Sequence, residues 1–325
     1  MEYMLIDIGR EDACMQAKLD KLLAQNGLQR DAALDYSAGI VDENYRLLAT
    51  GSCAQNTLRC IAVDEEFRGE GFLNSIVSRL TEIQTMRGNS HIFVYTKSTS
   101  APFFRSLGYR RIAEVDGKLS FMENRARGFS DYLDSLGAAR SEASCAVVMN
   151  ANPFTLGHLH IIKQASREGF VHVFVVAEDV SQFSFAQRFQ MVREGCAGLP
   201  GVAVHSTGSY IISSATFPAY FLGANDDAVR IQARLDAEIF SSIAERLNIS
   251  KRFFGQEPYS HTTSLYNQIM LGTLPSMGIK VEIIPRLEIK GKPVSASAVR
   301  AALQQGNRES AAEFLPPSSL HHIVS

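Results

Sequence analysis

Residues 152–158 read Asn-Pro-Phe-Thr-Leu-Gly-His, and this stretch decides the interpretation of the chain. It follows an apolar run at residues 145–149 and opens an amphipathic stretch whose apolar residues recur at helical spacing. The order predicts a strand, a turn and a helix, with Thr155, Gly157 and His158 in the turn. A helix N-terminus binds anions through its free amides and dipole, and glycine allows close backbone approach. The stretch therefore predicts a site for the phosphates of a nucleotide, with His158 as an added donor or cation.

A second constellation lies near the end of the chain, at residues 291–300. Ser295 and Ser297 precede a helical pattern, and Arg300 falls one turn inside it. Hydroxyl side chains at a helix start and an arginine in its first turn form another anion-binding site. We call each of these two predicted sites an anion seat. Two such seats at the carboxyl ends of parallel strands would clamp a triphosphate.

The second half of the chain alternates strand and helix patterns, which is typical of a parallel sheet with helices on its faces. The strands are predicted at residues 145–149, 172–177, 202–205, 252–254 and 281–284, and the helices at 158–167 and 185–194. We expect a Rossmann-like domain over residues 144–325. Residues 259–262 are interpreted as a polar loop that could line a substrate pocket.

The first half has a different order, with several strands before its first amphipathic helix. Strands are predicted at residues 35–41, 45–54, 58–63, 91–95 and 109–115, and helices at 73–83 and 101–107. This order predicts a mixed α+β domain over residues 1–128. A connecting helix at 129–139 and the polar residues after it form a linker over 129–143, so the fold class is α/β with two domains.

Composition narrows the functional classes. Lys and Arg number 32 against 34 Asp and Glu, and a net charge of −2 gives no sign of nucleic-acid binding. The five cysteines are odd in number and widely spaced, which fits neither a disulfide framework nor a zinc site. Neither a signal peptide nor an apolar run of about 18 residues is present. We expect a cytoplasmic protein with reduced thiols and no membrane partner.

The two anion seats resemble the signature motifs of the nucleotidyltransferase superfamily, (H/T)-x-G-H and a late I-S-x-(S/T)-x-x-R. Residues 155–158 match the first motif fully, and residues 294–300 match the second with valine for isoleucine. In the first domain, residues 68–71 lie between a strand and a helix and resemble the coenzyme A loop of GNAT acetyltransferases, (Q/R)-x-x-G-x-(G/A). Arg68 and Gly71 fit that pattern, whereas Leu73 occupies the final small position.

Together the two domains resemble the citrate lyase ligase family. The resemblance implies ATP-dependent activation of acetate to acetyl-adenylate with release of pyrophosphate. A thiol then takes the acetyl group and AMP leaves. That thiol belongs to the phosphoribosyl-dephospho-coenzyme A group on the acyl carrier subunit of citrate lyase. Mg²⁺ is expected to bridge the phosphates without a dedicated protein metal site.

The resemblance also implies roles for individual residues. Thr155 and His158 would contact the phosphates and stabilise the transition state, and Arg300 completes the catalytic set. The predicted ATP-binding residues are Asn150, Ala151, Asn152, Pro153, Phe154, Gly157, Gly255, Ser295 and Ser297, with the two serines on the β and γ phosphates. Arg68, Gly69 and Gly71 are predicted to bind the pantetheine-pyrophosphate arm of the carrier. Arg188 fits a ligand and a surface helix charge equally well.

Other functions share these motifs. A nucleotidyltransferase could join AMP or CMP to an acceptor such as phosphopantetheine or a mononucleotide at the same ATP site. An inactive nucleotide-binding module and a protein N-acetyltransferase that uses only the first domain are the remaining alternatives. The acceptor pocket would discriminate, because a phosphate acceptor needs additional cations whereas acetate needs a small and mostly apolar recess.

Overall fold

The computed structural model describes residues 2–178, 181–211, 213, 217–222, 225–258 and 260–324. Its internal contacts divide it into two compact units. The first comprises Met1–Gly128 and Pro218–Ala228, and the second comprises Phe129–Phe217 and Val229–Ser325. The segment Pro218–Ala228 belongs to the first unit although it lies far along the chain. The domain boundary predicted near residue 128 does not include this later segment in the first unit.

The first unit contains a seven-stranded sheet. Its strands are β1 (Met4–Asp7), β2 (Tyr36–Val41), β3 (Leu47–Ala54), β4 (Thr57–Val63), β5 (Phe93–Lys97), β6 (Arg110–Val115) and β7 (Leu119–Glu123). They lie in the order β1-β2-β3-β4-β5-β7-β6. All neighbours are antiparallel except β4 and β5, which run parallel and pair at two positions near the start of each strand. This mixed sheet confirms the mixed α+β architecture predicted for the first half of the chain.

Helices α1 (Ala13–Gln25), α2 (Phe72–Met86) and α3 (Ala101–Ser106) accompany this sheet. Helix α2 buries Ile76, Val77 and Leu80 at i, i+1 and i+4 and packs on β3. A Cβ atom at Gly51 of β3 would lie 2.5 Å from Ile76 Cγ2. Glycine is therefore required there for α2 to approach the sheet this closely.

The second unit contains the predicted parallel sheet. Its strands are β8 (Ser144–Met149), β9 (Val171–Val175), β10 (Val202–Ser206), β11 (Ile249–Gly255) and β12 (Lys280–Ile284), and a separate pair consists of β13 (Glu288–Ile289) and β14 (Lys292–Pro293). The five strands run parallel in the order β10-β9-β8-β11-β12. The strand order reverses between β8 and β11, where doubly wound sheets bind ligands.

The connecting helix predicted at 129–139 is shorter in the structure, and the helices predicted at 158–167 and 185–194 are present with shifted ends. The remaining helices are α4 (Gly128–Ser135), α5 (Leu156–Ala165), α6 (Phe185–Cys196), α7 (Asn225–Leu247), α8 (His261–Thr273), α9 (Ala296–Gln304), α10 (Arg308–Ala312) and α11 (Pro317–Val324). The interpretation of residues 259–262 as a loop is wrong for its second half, because α8 begins at His261. Ser260 caps α8 by accepting a hydrogen bond from Thr263 N. Tyr259 lies outside the described residues.

A histidine pair, of which His172 is buried and His205 is half-buried, joins β9 and β10. His172 Nδ1 lies 2.9 Å from His205 Nε2, and the His172 ring contacts those of Phe170 and Phe174. Burial, reinforced by His205 and Arg140, lowers the pKa of His172 from 6.5 to about 4. The imidazole is thus neutral in the folded protein at neutral pH.

This pair predicts acid sensitivity of the second unit. The folded-state pKa of His172 is below its unfolded value, so the unfolded chain binds more protons between about pH 6.5 and pH 4, and stability falls as the pH drops through that window. At pH 5 the expected loss from His172 is about 2 kcal/mol. Urea unfolding at pH 7.5 and pH 5 should show a smaller pH difference for His172→Phe than for the wild type. Equal differences would contradict this account.

Candidate active site

A cavity of about 390 Å³ opens at the switch point of the parallel sheet. The ends of β8 and β11, the start of α5, part of α8 and the residues that follow β12 form its walls. Val294, Ser295, Ala296 and Ser297 bring the start of α9 to the same cavity. The N-termini of α5 and α9 are more than a hundred residues apart in the sequence, yet both open on the same cavity.

Thr155 and His158 form a reciprocal cap at the start of α5. The Thr155 side chain accepts a hydrogen bond from His158 N at 3.4 Å, and the Thr155 backbone N–H donates to His158 Nδ1 at 3.0 Å. The Thr155 hydroxyl also lies 2.9 Å from Nδ1. The Phe154 ring lies parallel to the imidazole, with 5.9 Å between ring centroids. These contacts fix the orientation of His158.

The protonation state of His158 follows from this cap. Burial, with a further contribution from the positive charge of Arg286, lowers the pKa of His158 to about 4. Because Nδ1 accepts from the Thr155 backbone, the neutral ring carries its proton on Nε2. His158 is therefore a neutral hydrogen-bond donor at neutral pH, and not a resident cation.

Gly157 lies where α5 approaches the segment that leads into α9. A Cβ atom at Gly157 would lie 3.4 Å from Val294 Cγ1 and 3.5 Å from Thr155 Oγ1, which are ordinary van der Waals contacts. Packing alone therefore does not require glycine here. Because Gly157 lines the cavity, the absence of a side chain leaves its backbone open to a ligand.

The start of α9 is the second predicted anion seat. Ser295 caps the helix by accepting from Ala298 N at 3.4 Å. Arg300 donates through Nη1 to the carbonyl of Asn152 at 2.5 Å and through Nη2 to Ser297 Oγ at 3.1 Å. Arg300 thus connects the segment before α5 to the α9 seat.

The predicted ATP-binding residues fall into two groups. Those that line the cavity are Asn150, Thr155, Gly157, His158, Gly255, Ser295 and Ser297. Ala151, Asn152, Pro153, Phe154 and Arg300 lie outside that lining. Phe154 is fully buried and supports the His158 ring from the core, and the Asn152 side chain accepts from Phe183 N at 3.3 Å.

Arg188 has a role that the sequence left open. Its side chain is fully buried and donates from Nη1 to the backbone and side-chain oxygens of Asn150, at 2.6 and 2.8 Å. It also donates to the carbonyl oxygens of Val176, Glu178 and Phe183. Arg188 thus ties the segments after β8 and β9 together and holds Asn150 at the cavity, which excludes a surface role.

Comparisons with known proteins match this architecture. A model of the citrate lyase ligase C-terminal domain family matches residues 144–323. The [citrate [pro-3S]-lyase] ligase of Klebsiella pneumoniae is 35% identical, over 97% of this chain and 94% of the relative. The same-named protein of Escherichia coli strain K12 is 33% identical, over 97% and 92%. The chain belongs to the citrate lyase ligase family.

Membership of the citrate lyase ligase family makes the chain an enzyme of the ligase class. Among solved structures, an acetyltransferase of the GNAT family from Staphylococcus aureus aligns with 38% of this chain and 100% of its own, with 11% identity and a TM-score of 0.32.

The first unit has a cavity of its own, of about 690 Å³, beside the parallel strands β4 and β5. Arg68, Gly69, Gly71 and Leu73 line it. Gly69 and Gly71 have φ angles of +99° and +79°, which favour glycine, and Gly71 caps α2. The half-exposed Arg68 side chain donates to Asn26 Oδ1 at 3.3 Å.

Two features are absent from the part of the chain that the structure describes. It contains no cluster of three or more His, Cys, Asp or Glu side chains arranged to hold a metal ion. It also contains no helix of the length and apolar character needed to cross a membrane. The five cysteines are free thiols, and all except Cys14 are buried.

Proposed function

We propose that this member of the citrate lyase ligase family activates acetate with ATP and passes the acetyl group to a carrier thiol. The thiol is that of the phosphoribosyl-dephospho-coenzyme A group on the acyl carrier subunit of citrate lyase. One observation carries the proposal: two helix N-termini and the oriented imidazole of His158 open on the same cavity. These are the groups that a triphosphate needs.

The first step is in-line substitution at phosphorus. A carboxylate oxygen of acetate bonds to the α phosphorus, and the bond from that phosphorus to the oxygen bridging to the β phosphate breaks. Pyrophosphate carries away the electron pair, and acetyl-adenylate remains. The Nε2–H group of His158 and the free amides at the start of α5 stabilise charge on the non-bridging oxygens. No protein nucleophile is needed.

The second step transfers the acetyl group. The carrier thiolate attacks the acyl carbon of acetyl-adenylate, the bond from that carbon to the phosphate oxygen breaks, and AMP leaves with the electron pair. The products are the thioester and AMP. Because AMP is a good leaving group, the enzyme has only to hold the adenylate and admit the carrier arm.

The α9 seat is assigned to the β and γ phosphates, with Arg300 as its cation. Mg²⁺ is assigned to the phosphates themselves, and when bound it neutralises their charge. The donors around the cavity include hydroxyls, amides, an imidazole and the guanidinium groups of Arg252 and Arg286, which suit the phosphates, and magnesium commonly keeps water ligands. We assign the enzyme to the cytoplasm, where ATP is available and free thiols stay reduced.

The first unit is proposed to bind the pantetheine-pyrophosphate arm of the carrier. Residues 129–143 are proposed as the linker between this function and the nucleotide site of the second unit. The loop at Arg68 to Gly71 has a cation, two positive-φ glycines and the N-terminus of α2 beside one cavity. These groups suit a pyrophosphate. The strands β4 and β5, whose residues line this cavity, pair at only two positions near their starts.

Substitution of Arg68 with glutamate tests this role. We expect the apparent KM for the carrier to rise roughly 10-fold, the effect of one lost charge-assisted contact, while adenylate formation is unchanged. Arg125→Glu, an exposed arginine of the same unit that does not line the cavity, is the control. Carrier kinetics equal to the wild type in Arg68→Glu would remove the first unit from carrier binding.

The test of the proposed function is exchange of radiolabelled pyrophosphate into ATP in the presence of Mg²⁺. Acetate, phosphopantetheine and nicotinamide mononucleotide are compared as acceptors, and the thiol form of citrate lyase is added in a second series. Acetate-dependent exchange establishes carboxylate activation. Exchange with a phosphate-bearing acceptor alone would make the enzyme a nucleotidyltransferase and overturn the substrate assignment.

A further inference from the structure

The wall of the active-site cavity formed by α7, β11 and α8 contains a buried guanidinium group. Arg252 of β11 is 2% exposed and lines the cavity together with Asp236 of α7 and Tyr266 of α8. Its guanidinium carbon lies 4.4 Å from the ring centroid of Phe240 and 4.8 Å from that of Phe254. The cation thus lies over the faces of two aromatic rings.

The hydrogen bonds of Arg252 are incomplete. Nη2 donates to Tyr266 OH at 3.1 Å and lies 3.4 Å from Asp236 Oδ2. Nε and Nη1 of Arg252, and Oδ1 of Asp236, have no hydrogen-bond partner among the described residues. A buried donor left without a partner is destabilising, and more so when it is charged. Unused donors at the wall of a substrate cavity point to a ligand that completes them.

The surroundings restrict the chemistry of that ligand. The Asp236 carboxylate already offsets the charge of Arg252, and burial raises the pKa of Asp236. A dianionic phosphate would bring two charges into a wall with one partly compensated cation and three aromatic rings. A small monoanion brings one charge, and its flat carboxylate can accept from the unused N–H groups.

We propose that Arg252 is the residue that binds the carboxylate of the acid substrate, in a recess walled by Phe254 and Tyr266. This inference deepens the proposed function and rests on it. One carboxylate oxygen accepts from Arg252, and the other remains available for attack on the α phosphorus of ATP held at the α5 end of the same cavity. The aromatic walls limit the length of the acyl chain.

The first experiment measures the KM for acetate and the Kd for ATP separately, with Arg252→Gln and Arg252→Lys. We expect the KM for acetate in Arg252→Gln to rise roughly 10- to 100-fold, and the Kd for ATP measured without acetate to stay within about 2-fold. Arg252→Lys should retain part of the acetate affinity. Lys251→Gln is the matched control, because Lys251 is the adjacent residue of β11, does not line the cavity and pairs with Glu168 and Glu282.

The second experiment keeps the inference testable if Arg252 variants do not fold. Phe254→Ala enlarges the recess, so the ratio of kcat/KM for butyrate to that for acetate should rise at least 10-fold within one preparation. An unchanged ratio, or wild-type KM for acetate in folded Arg252→Gln, overturns the assignment. Both outcomes differ from failure of the proposed function, in which the wild-type enzyme shows no acetate-dependent exchange.

Discussion

Replacement of His158 with alanine is expected to lower acetate-dependent pyrophosphate exchange by roughly 10²- to 10³-fold, because it removes a pre-oriented donor at the α phosphate. The Thr155 backbone N–H donates to His158 Nδ1 at 3.0 Å and fixes the orientation of the ring. The Nε2–H group can therefore donate to the phosphate oxygens as negative charge develops on them, without reorientation of the side chain. We expect kcat to fall, because the hydrogen bond from His158 strengthens as negative charge builds on the non-bridging oxygens in the transition state. Affinity for ATP should change less.

His160→Ala is the matched control for this prediction. His160 lies on the same helix two residues later, is partly buried and does not line the cavity. Its substitution should leave exchange within about 2-fold, in line with a change remote from the site. His158→Ala with near-normal kcat would show that the helix amides and the α9 seat suffice, and would exclude His158 from the catalytic step.

The local part of the site could be predicted from the sequence because its signals are local. A buried strand, a turn with Thr155 and Gly157, and an amphipathic helix occupy consecutive residues, and the cap joins residues three apart. The α9 seat has the same character, with Ser295 and Arg300 one and a half turns apart. The sequence also predicted that the α5 and α9 helix starts lie close together, because ligands bind doubly wound sheets at the carboxyl ends of the parallel strands.

The parts that the sequence did not predict depend on long-range contacts. Arg252 lies in a strand whose local pattern gives no reason for a buried cation, and its partner Asp236 comes from the preceding helix. The segment around Tyr220 belongs to the first unit, where Gln29 N donates to the Tyr220 carbonyl at 2.8 Å and the Tyr220 hydroxyl donates to Tyr95 O. No periodicity at residues 218–228 encodes these distant partners.

Arg188→Met is expected to lower the free energy of unfolding by about 3–5 kcal/mol, because several buried oxygens lose their hydrogen-bond donor. Methionine keeps much of the side-chain volume, so the loss reports hydrogen bonds more than a cavity. The carbonyls of Asn150, Val176 and Phe183 would lose their donor in a region closed to water. Each orphaned buried carbonyl costs about 1–3 kcal/mol.

Urea unfolding measures this loss, with Arg193→Met as control because Arg193 is exposed on the same helix. The control should change stability by less than about 0.5 kcal/mol. Pyrophosphate exchange in folded Arg188→Met should also fall, since Asn150 lines the cavity and takes its position from Arg188. Equal stabilities of the two variants would mean that the carbonyls at the ends of β8 and β9 find other donors. The cavity wall would then be held by the sheet alone, and Arg188 would be dispensable for the fold.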